Sequence, residues 1–357
     1  MKVGVYAANI SKHLGGGYTF QDTILEELLK TQSKHEFNIY YENANYSFND
    51  VITANKVELV WFPNTYCIPV KLPFIMTVLD IEHRMQPYFP EVSYTGWTWE
   101  DREEFFKNTK KASYVVTGTH IAKQQLMQFY GIPSERISIL PHPTPTFALY
   151  ADTTKVSKTF EANLSKNYIF YPAQFWPHKN HIGLLYALKV LNEKYHMNMS
   201  LVLSGTDKGN LQYIKSVVQQ LGLEDKVQFL GFVSTHELVY LYKHAFALVY
   251  VSFYGPENLP PLEAFALGCP VVASNIPGAI EQLQGNAVFV NPQDEKDIAR
   301  GVYSLTVDSK MKKELIRKGF KRAKTWTPEN FIRGINNLID SLEPIRRCWS
   351  TEPSIYT

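Results

Sequence analysis

The chain has 357 residues, 45% of them hydrophobic and 14% aromatic, which is enough apolar material for the packed cores of two domains. Its 36 basic and 34 acidic residues leave a net charge of +2, which argues against nucleic acid as the main partner. The three cysteines lack metal-type spacing, and no segment approaches the roughly 18 apolar residues of a membrane span. The N-terminus begins as a strand rather than as a signal peptide. We therefore expect a cytoplasmic protein.

Strands and helices alternate along the first half of the chain. After a first strand at 3–7 and a glycine-rich loop, an apolar face predicts a helix at 21–30. Further strands are predicted at 37–41, 57–62, 74–79, 114–117 and 137–140, with helical patterns that include 99–110 and 121–130. This alternation is typical of a doubly wound, mostly parallel sheet.

A polar, proline-containing linker at about 141–167 separates this half from a second one. The alternation then restarts, with strands predicted at 168–172, 200–204, 227–230, 246–251, 270–273 and 287–290. We therefore expect an α/β fold of two Rossmann-like, doubly wound domains, at 1–150 and 165–327, with a ligand in the cleft between them. A last helix, at about 328–357, is expected to pack back on the first domain.

The glycine-rich loop of Gly15, Gly16 and Gly17 does not fit a dinucleotide-binding pattern. The third glycine of that pattern is replaced by Phe20, and the loop begins too far beyond the first strand. A nucleotide-dependent oxidoreductase is therefore a distant alternative. The loop is either a wall without side chains that a substrate can approach or a permissive surface loop.

The most informative stretch is the loop, helix and strand at 255–274. On a helical wheel, Glu263 falls within the apolar arc that includes Leu259 and Leu262. A carboxylate on an inward face needs a hydrogen-bond partner, and either a ligand diol or an internal arginine or lysine would supply one. Asn258 is the predicted N-cap. Because two prolines remove first-turn amides, a phosphate contact would depend on Asn258, Leu259 and a cation from elsewhere.

Other polar groups follow predicted strands. Lys179 is placed where a cation would meet a diphosphate, unless it is a solvated lysine at a helix start. Gly205 lies in a turn that either admits a ligand or is only a turn. Asp80, His83 and Arg84 offer acceptor-binding or acid/base groups, and a structural Asp–Arg pair with a surface histidine is the alternative.

From about Tyr168 to Val290, the chain resembles the retaining nucleotide-sugar glycosyltransferases of the GT-B architecture, of the group 1 or fourth-family type. The segment from Leu259 to Val272 is similar to the signature helix of that family. Further elements that agree with it are Lys179-Asn180, Ser204-Gly205, Gly231 with Phe232, and the loop of Gly15 to Gly17.

The resemblance implies roles for individual positions. Glu263 corresponds to the second glutamate of a pair, which holds the ribose hydroxyls of the donor, and Lys179 to the lysine that neutralises the diphosphate. The catalytic set is Lys179, Glu263, His83 and Asp80. Other donor-binding positions are Gly16, Gly17, Gln174, Gly205, Phe232, Val233, Gly255, Asn258 and Leu259. Acceptor-binding positions are Gly15, Gly16, His83 and Arg84.

Two positions depart from the family pattern. Gly255 stands where the first glutamate of the pair is expected, and Gln174 stands where an arginine usually precedes the lysine. Glu257 is close enough in sequence to be a candidate for the same donor hydroxyls. These departures indicate either a different mode of donor binding or a weakened enzyme.

The function that the resemblance implies is transfer of a sugar, with retention of configuration, from a nucleotide diphosphate to a glycan or lipid-linked acceptor. GDP-mannose is the favoured donor, by analogy with bacterial polysaccharide enzymes that carry similar Phe-Trp-Pro-His-Lys-Asn segments, and UDP- and dTDP-sugars stay open. No cofactor is expected, and the absence of an Asp-x-Asp motif argues against a required metal. The alternative is a catalytically silent protein that binds sugar nucleotides or glycans.

Four lysines suggest a peripheral contact with the inner surface of a membrane. They are Lys107, Lys110, Lys111 and Lys123. Solvated helix faces are the alternative explanation. The sequence gives no oligomeric state.

Overall fold

The computed structural model of the chain describes residues 1–43, 47–93, 98–151 and 156–350. Its N-terminal sheet has six parallel strands in the order β2-β1-β3-β4-β5-β6. The strands are β1 Lys2–Ala7, β2 Glu36–Tyr41, β3 Leu59–Phe62, β4 Phe74–Thr77, β5 Tyr114–Thr117 and β6 Ile137–Ile139.

The C-terminal sheet also has six parallel strands, in the order β12-β11-β10-β7-β8-β9. The strands are β7 Tyr168–Pro172, β8 Ser200–Ser204, β9 Val227–Phe229, β10 Ala247–Tyr250, β11 Val271–Ser274 and β12 Val288–Val290. The predicted α/β fold of two doubly wound domains is confirmed, and the twelve strands begin and end within about two residues of their predicted positions.

Helices connect the strands and cover both sheets. In the N-terminal half they are α1 Gly16–Lys30, α2 Phe48–Ala54, α3 Glu82–Met85, α4 Pro90–Ser93, α5 Trp99–Phe106, α6 His120–Tyr130 and α7 Thr146–Leu149. They continue with α8 Lys158–Ala162, α9 His181–Glu193, α10 Leu211–Gln220, α11 Thr235–His244, α12 Leu259–Ala266, α13 Pro277–Leu283, α14 Glu295–Val307, α15 Ser309–Thr325 and α16 Pro328–Arg346. In the described ranges, none of them combines the length and hydrophobicity needed to cross a bilayer.

The central strands explain why the sequence forms two layered cores. Every residue of β3, β4, β10 and β11 is buried. Short, uninterrupted apolar strands of this kind require cover on both faces, which the helices of a parallel sheet provide. Each domain therefore presents only its strand ends and the loops that follow them to the cleft.

Helix α16 returns to the N-terminal domain after the C-terminal sheet is complete. Phe331 and Ile335 are fully buried in a cluster that includes Phe20 and Ile24 of α1, and the Phe331 and Phe20 ring centroids are 5.6 Å apart. The helix ends at Arg346, earlier than predicted, and the predicted positions 351–357 lie outside the described residues.

Helix α1 begins earlier than the sequence pattern predicts. It starts at Gly16 rather than at residue 21, so Gly16 and Gly17 form its first turn. Gly15 precedes it with φ of +71°, a conformation that favours glycine. The glycines therefore expose the amide end of a 15-residue helix at the cleft.

Candidate active site

The candidate site lies where the strand order of the C-terminal sheet reverses, between β7 and β10. The chain leaves these neighbouring strands in opposite directions, which opens a crevice at their carboxyl ends. Lys179 follows β7, and its Nζ donates a hydrogen bond to the hydroxyl oxygen of Tyr250, the last residue of β10, at 3.1 Å. Ligands of open parallel sheets bind at such a point, so Lys179 occupies the position that the fold favours.

The ammonium group of Lys179 has only neutral direct partners among the described residues. Besides Tyr250, it lies 3.5 Å from Oδ1 of Asn258, and no carboxylate oxygen there comes within 4.0 Å. A half-buried lysine without a close counterion retains most of its capacity to bind an anion.

Asn258 has a different role from the one predicted. It occupies the N-cap position of α12, but its side chain makes no capping hydrogen bond. Its backbone N–H donates instead to Oε1 of Gln282 at 3.0 Å, and Nε2 of Gln282 donates to its carbonyl oxygen at 3.0 Å. The Asn258 amide is therefore not available to a phosphate in this conformation, and Leu259 is the remaining predicted donor at this helix end.

Glu263 is buried, as its place on the helical wheel predicts, and only 6% of its surface is exposed. Its hydrogen-bond partner within the chain is a tyrosine rather than an internal arginine or lysine. Oε2 accepts a hydrogen bond from the hydroxyl of Tyr242 at 2.6 Å, and burial raises the pKa of Glu263 to about 7. The domain itself thus satisfies this carboxylate, and its role at a ribose stays a prediction from the resemblance.

The glycine-rich loop faces the C-terminal domain. Nε2 of Gln174 donates to the carbonyl oxygen of His13 at 2.8 Å, and a side chain on Gly15 would contact Gln174. Cβ atoms on Gly16 and Gly17 would meet nothing within 4 Å. The amide end of α1 therefore opens into free space, opposite the domain that carries Lys179.

Phe232, predicted near the base of the donor, also lies at this side of the cleft. Its ring is half exposed and meets the ring of His13 edge to face at a centroid distance of 4.6 Å, whereas Val233 is partly buried against the core. Gly205 has an internal reason to be glycine, because a Cβ there would overlap the carbonyl group of Ala173. The structure therefore brings Gln174, Phe232 and the glycine loop together.

His83 and Arg84 do not line the cleft as predicted. Nε2 of His83 lies 2.7 Å from Oε1 of Glu103, and its ring stacks on Phe106 within the N-terminal core. The Arg84 guanidinium pairs with the same Glu103 carboxylate and packs against the ring of Tyr130. His83 is 1% exposed, so it is not a surface residue either. An internal ion-pair cluster accounts for both side chains.

Asp80 stays at the strand end and does not pair with Arg84. Its Oδ1 accepts the backbone N–H of Glu82 at 3.2 Å, which fixes the start of α3. Glu82 is 6% exposed, and the backbone N–H of Gly255 in the opposite domain lowers the pKa of its carboxyl group. Burial raises the pKa of Glu82 to about 8; Asp80 adds to this effect, and Lys179 opposes it. Glu82 is not among the site residues predicted from the sequence, although it directly follows the strand-end pair Asp80-Ile81.

Glu257 does not reach toward a donor in this conformation. Its side chain enters the N-terminal domain, where Oε1 accepts the backbone N–H of His142 at 2.8 Å. The carboxylate fills the space beside Gly118, and burial raises the pKa of Glu257 to about 8. The structure therefore assigns Glu257 to the contact between the domains rather than to donor hydroxyls.

Two other carboxylates bridge the domains and were not singled out from the sequence. Glu91 in α4 accepts the backbone N–H of His178 at 3.0 Å. Glu281 in α13 accepts the amides of His120 and Ile121 at the start of α6, at 2.6 and 3.2 Å. Negative charge at the amide end of a helix is favourable. Nothing local in the sequence marks such residues, because their partners belong to the other domain.

Two of the four lysines proposed to contact a membrane have protein partners. Nζ of Lys123 donates to the carbonyl oxygens of Ser134 and Ile137 at 2.8 and 2.9 Å. Lys107 pairs with Glu104 on the same face. These contacts weaken the membrane hypothesis, and it stays a prediction for Lys110 and Lys111.

One cluster of metal-ligand type occurs among the described residues, away from the cleft. It consists of His35, Asp340 and Glu343. Nζ of Lys34 lies 2.9 Å from Asp340 and 3.2 Å from Glu343, so an ammonium group already neutralises both carboxylates. The cluster holds α16 against the N-terminal domain.

Comparison with known proteins identifies relatives of this arrangement. Residues 152–322 match the family described as glycosyl transferases group 1. Over 287 residues, the chain is 28% identical to O-antigen chain mannosyltransferase RfbU of Salmonella typhimurium, covering 72% of this chain and 76% of that protein. It is 26% identical over 222 residues to O-antigen chain mannosyltransferase B of Escherichia coli, covering 61% of this chain and 58% of that protein.

A solved structure shares the whole fold. The crystal structure of Anabaena Alr3699/HepE in complex with UDP-glucose superposes with a TM-score of 0.72 over 96% of this chain and 100% of that chain, at 15% identity. An identity this low establishes the architecture alone. Together with the family match, it confirms the resemblance predicted from the sequence.

Proposed function

We propose that the chain is a glycosyltransferase of the group 1 type, because residues 152–322 match that family, and that it transfers mannose from GDP-mannose to a glycan or lipid-linked acceptor. Support for mannose comes from two relatives, both O-antigen chain mannosyltransferases, which are 28% and 26% identical to this chain. UDP- and dTDP-sugars are the other donors to be compared.

The observation that carries the proposal is the position of Lys179. Its ammonium group lies at the switch point of the donor-side sheet, half-buried, with the hydroxyl of Tyr250 and the amide oxygen of Asn258 as its direct partners. A diphosphate is the ligand class that uses such a cation. The open amide end of α1 at Gly16 and Gly17 offers a second source of positive potential across the cleft.

The proposed reaction proceeds with retention of configuration and without a required metal. The bond from the anomeric carbon to the diphosphate breaks, a glycosidic bond to the acceptor oxygen forms on the same face, and the acceptor proton passes to a phosphate oxygen. Lys179 stabilises the charge that develops on the leaving diphosphate, and the two domains position the reactants. This chemistry does not need the carboxylate pair of a glycosidase.

The proposal includes a cytoplasmic location and a peripheral contact with the membrane through Lys110 and Lys111. The three cysteines support a reducing compartment, because Cys67, Cys269 and Cys348 are all free thiols. Binding to vesicles that contain anionic lipid at low salt tests the membrane contact.

A catalytically silent sugar-nucleotide or glycan-binding protein is the second candidate. Two observations favour it. Gln174 replaces the usual arginine and is already bonded to His13, and Gly255 replaces the usual glutamate. Such a protein would bind the donor without turning it over.

The experiment is a thermal-shift panel followed by a turnover assay. Thermal stabilisation by GDP, UDP, dTDP and NAD is compared first. GDP-mannose, UDP-glucose and dTDP-sugars are then incubated with the protein, with and without a lipid-linked glycan acceptor. The proposal expects stabilisation by GDP and either transfer or slow hydrolysis of GDP-mannose. Binding without any turnover supports the silent candidate, and stabilisation by NAD alone contradicts both.

A further inference from the structure

The backbone conformation of Gly255 disfavours the side chain that the family pattern places there. Its φ is +117°, and a Cβ would lie 2.8 Å from Nδ2 and 2.9 Å from Oδ1 of Asn258. Nδ2 of Asn258 also donates to the Gly255 carbonyl oxygen at 3.2 Å. The loop is therefore folded around the Asn258 side chain, and a carboxylate at this point of the cleft must come from another residue.

Glu82 brings a carboxyl group to this point from the opposite domain. It is the first residue of α3, it is 6% exposed, and the backbone N–H of Gly255 lowers the pKa of its carboxyl group. The segment is held in place by Gln86, whose Nε2 donates to the carbonyl oxygen of Phe253 at 3.2 Å. The α3 segment therefore lies against the loop that lacks a carboxylate, and the charge of Lys179 lowers the pKa of Glu82.

The charge state of Glu82 suits a neighbouring diphosphate. Its raised pKa, caused mainly by burial, keeps the carboxyl group largely protonated at neutral pH. A neutral carboxyl group both donates and accepts hydrogen bonds, as vicinal sugar hydroxyls require, and it does not repel the phosphates that Lys179 attracts.

We infer that Glu82 binds the hydroxyl groups of the donor's sugar, supplying from the N-terminal domain the carboxyl group that Gly255 cannot carry. This inference rests on the proposed function, because it assumes a nucleotide sugar in the cleft. It also makes recognition of the sugar depend on contact between the two domains at α3 and the Gly255 loop.

The test separates binding of the sugar from binding of the nucleotide. Affinities for GDP and GDP-mannose, and for UDP and UDP-glucose, are measured by calorimetry for the wild type and for Glu82→Ala and Glu82→Gln. Glu82→Ala is expected to bind the sugar nucleotide about tenfold more weakly while its affinity for the nucleoside diphosphate is unchanged, since two hydrogen bonds to hydroxyls are lost. Glu82→Gln keeps a neutral group of the same shape and is expected to retain most of the affinity.

Gln86→Ala is the matched control, because it removes a contact between the same helix and the same loop without removing the carboxyl group. If Gln86→Ala reproduces the loss, or if Glu82→Ala weakens GDP and GDP-mannose equally, Glu82 only docks the domains and the inference is wrong. Unchanged affinity for the sugar nucleotide in Glu82→Ala also overturns it. Failure of the wild type to bind any of the four ligands overturns the proposed function instead.

Discussion

Gly118 and Glu257 lie against each other across the contact between the two domains. A Cβ on Gly118 would overlap the Glu257 carboxylate, which is buried and accepts the backbone N–H of His142 at 2.8 Å. The end of β5 in one domain is therefore shaped to receive the acidic side chain that precedes α12 in the other.

Gly118→Ala is expected to destabilise the protein by forcing Glu257 out of this space. Overpacking of this kind costs about 1–3 kcal/mol in the free energy of unfolding, which urea denaturation measures. The double variant Gly118→Ala/Glu257→Ala leaves room for the added methyl group. It should therefore show a smaller loss than the sum of the two single variants, and strict additivity would argue against the contact.

Stability is expected to fall as the pH rises from about 6.5 to 8, in part because of Glu257. Its pKa is about 8 in the folded protein, against 4.5 for an ordinary glutamate, so the folded state binds the proton more tightly. The stabilisation is complete below pH 4.5 and is lost as the pH rises through 8. Three groups face this carboxyl group: Arg322, Glu281 and His142. Arg322 lowers the pKa of Glu257, and Glu281 raises it.

Glu257→Gln tests this origin of the pH dependence. The variant removes one titrating group, so the fall in the free energy of unfolding between pH 6.5 and 8 should become shallower by up to about 1.4 kcal/mol per pH unit. The pKa of His142 is lowered by burial to about 4, so its titration falls below this range. Parallel profiles for the variant and the wild type would assign the effect to Glu82 and Glu263 instead.

Lys179→Ala is expected to weaken the binding of GDP about 10- to 100-fold, because one hydrogen bond to a charged group is lost. The binding of guanosine, which has no phosphate, should be unchanged. Calorimetry with both ligands measures the difference. Lys189→Ala removes the same charge from the surface of α9, where Lys189 pairs with Glu193 at 3.7 Å, and serves as the control. Equal losses for GDP and guanosine would make Lys179 structural.

Glu263→Ala is expected to lower both the free energy of unfolding and the affinity for GDP. Stability falls by about 1–3 kcal/mol because the buried hydroxyl of Tyr242 loses its partner. Tyr242→Phe breaks the same hydrogen bond without touching a ligand, so it should change stability alone. Unchanged GDP affinity in Glu263→Ala would remove the assignment to the ribose.

The strands and the burial of Glu263 follow from the sequence because both depend on local periodicity. Apolar runs predicted the strands of both sheets, and the helical wheel placed Glu263 on the inward face. The partner of Glu263 is Tyr242, on a different element, and no local pattern indicates such a pair.

The orientation of side chains at the cleft depends on contacts between distant segments. His83 and Arg84 follow a strand, as catalytic groups often do. Both side chains nevertheless contact Glu103 in the N-terminal domain instead of lining the cleft. Glu82, one position before His83, is influenced instead by Gly255 and Lys179 of the other domain, both of which lower its pKa. Sequence position alone does not distinguish these neighbours, because the orientation of each side chain depends on residues of α5 and of the other domain.

The path of α16 has a consequence for biosynthesis. Phe331 and Ile335 complete the packing around Phe20 and Ile24, yet they are translated after all twelve strands. The half of the protein that leaves the ribosome first is therefore the half that is finished last. Until α16 emerges from the ribosome, the apolar face of α1 stays uncovered in the nascent chain. An exposed apolar face of this kind is a binding site for chaperones.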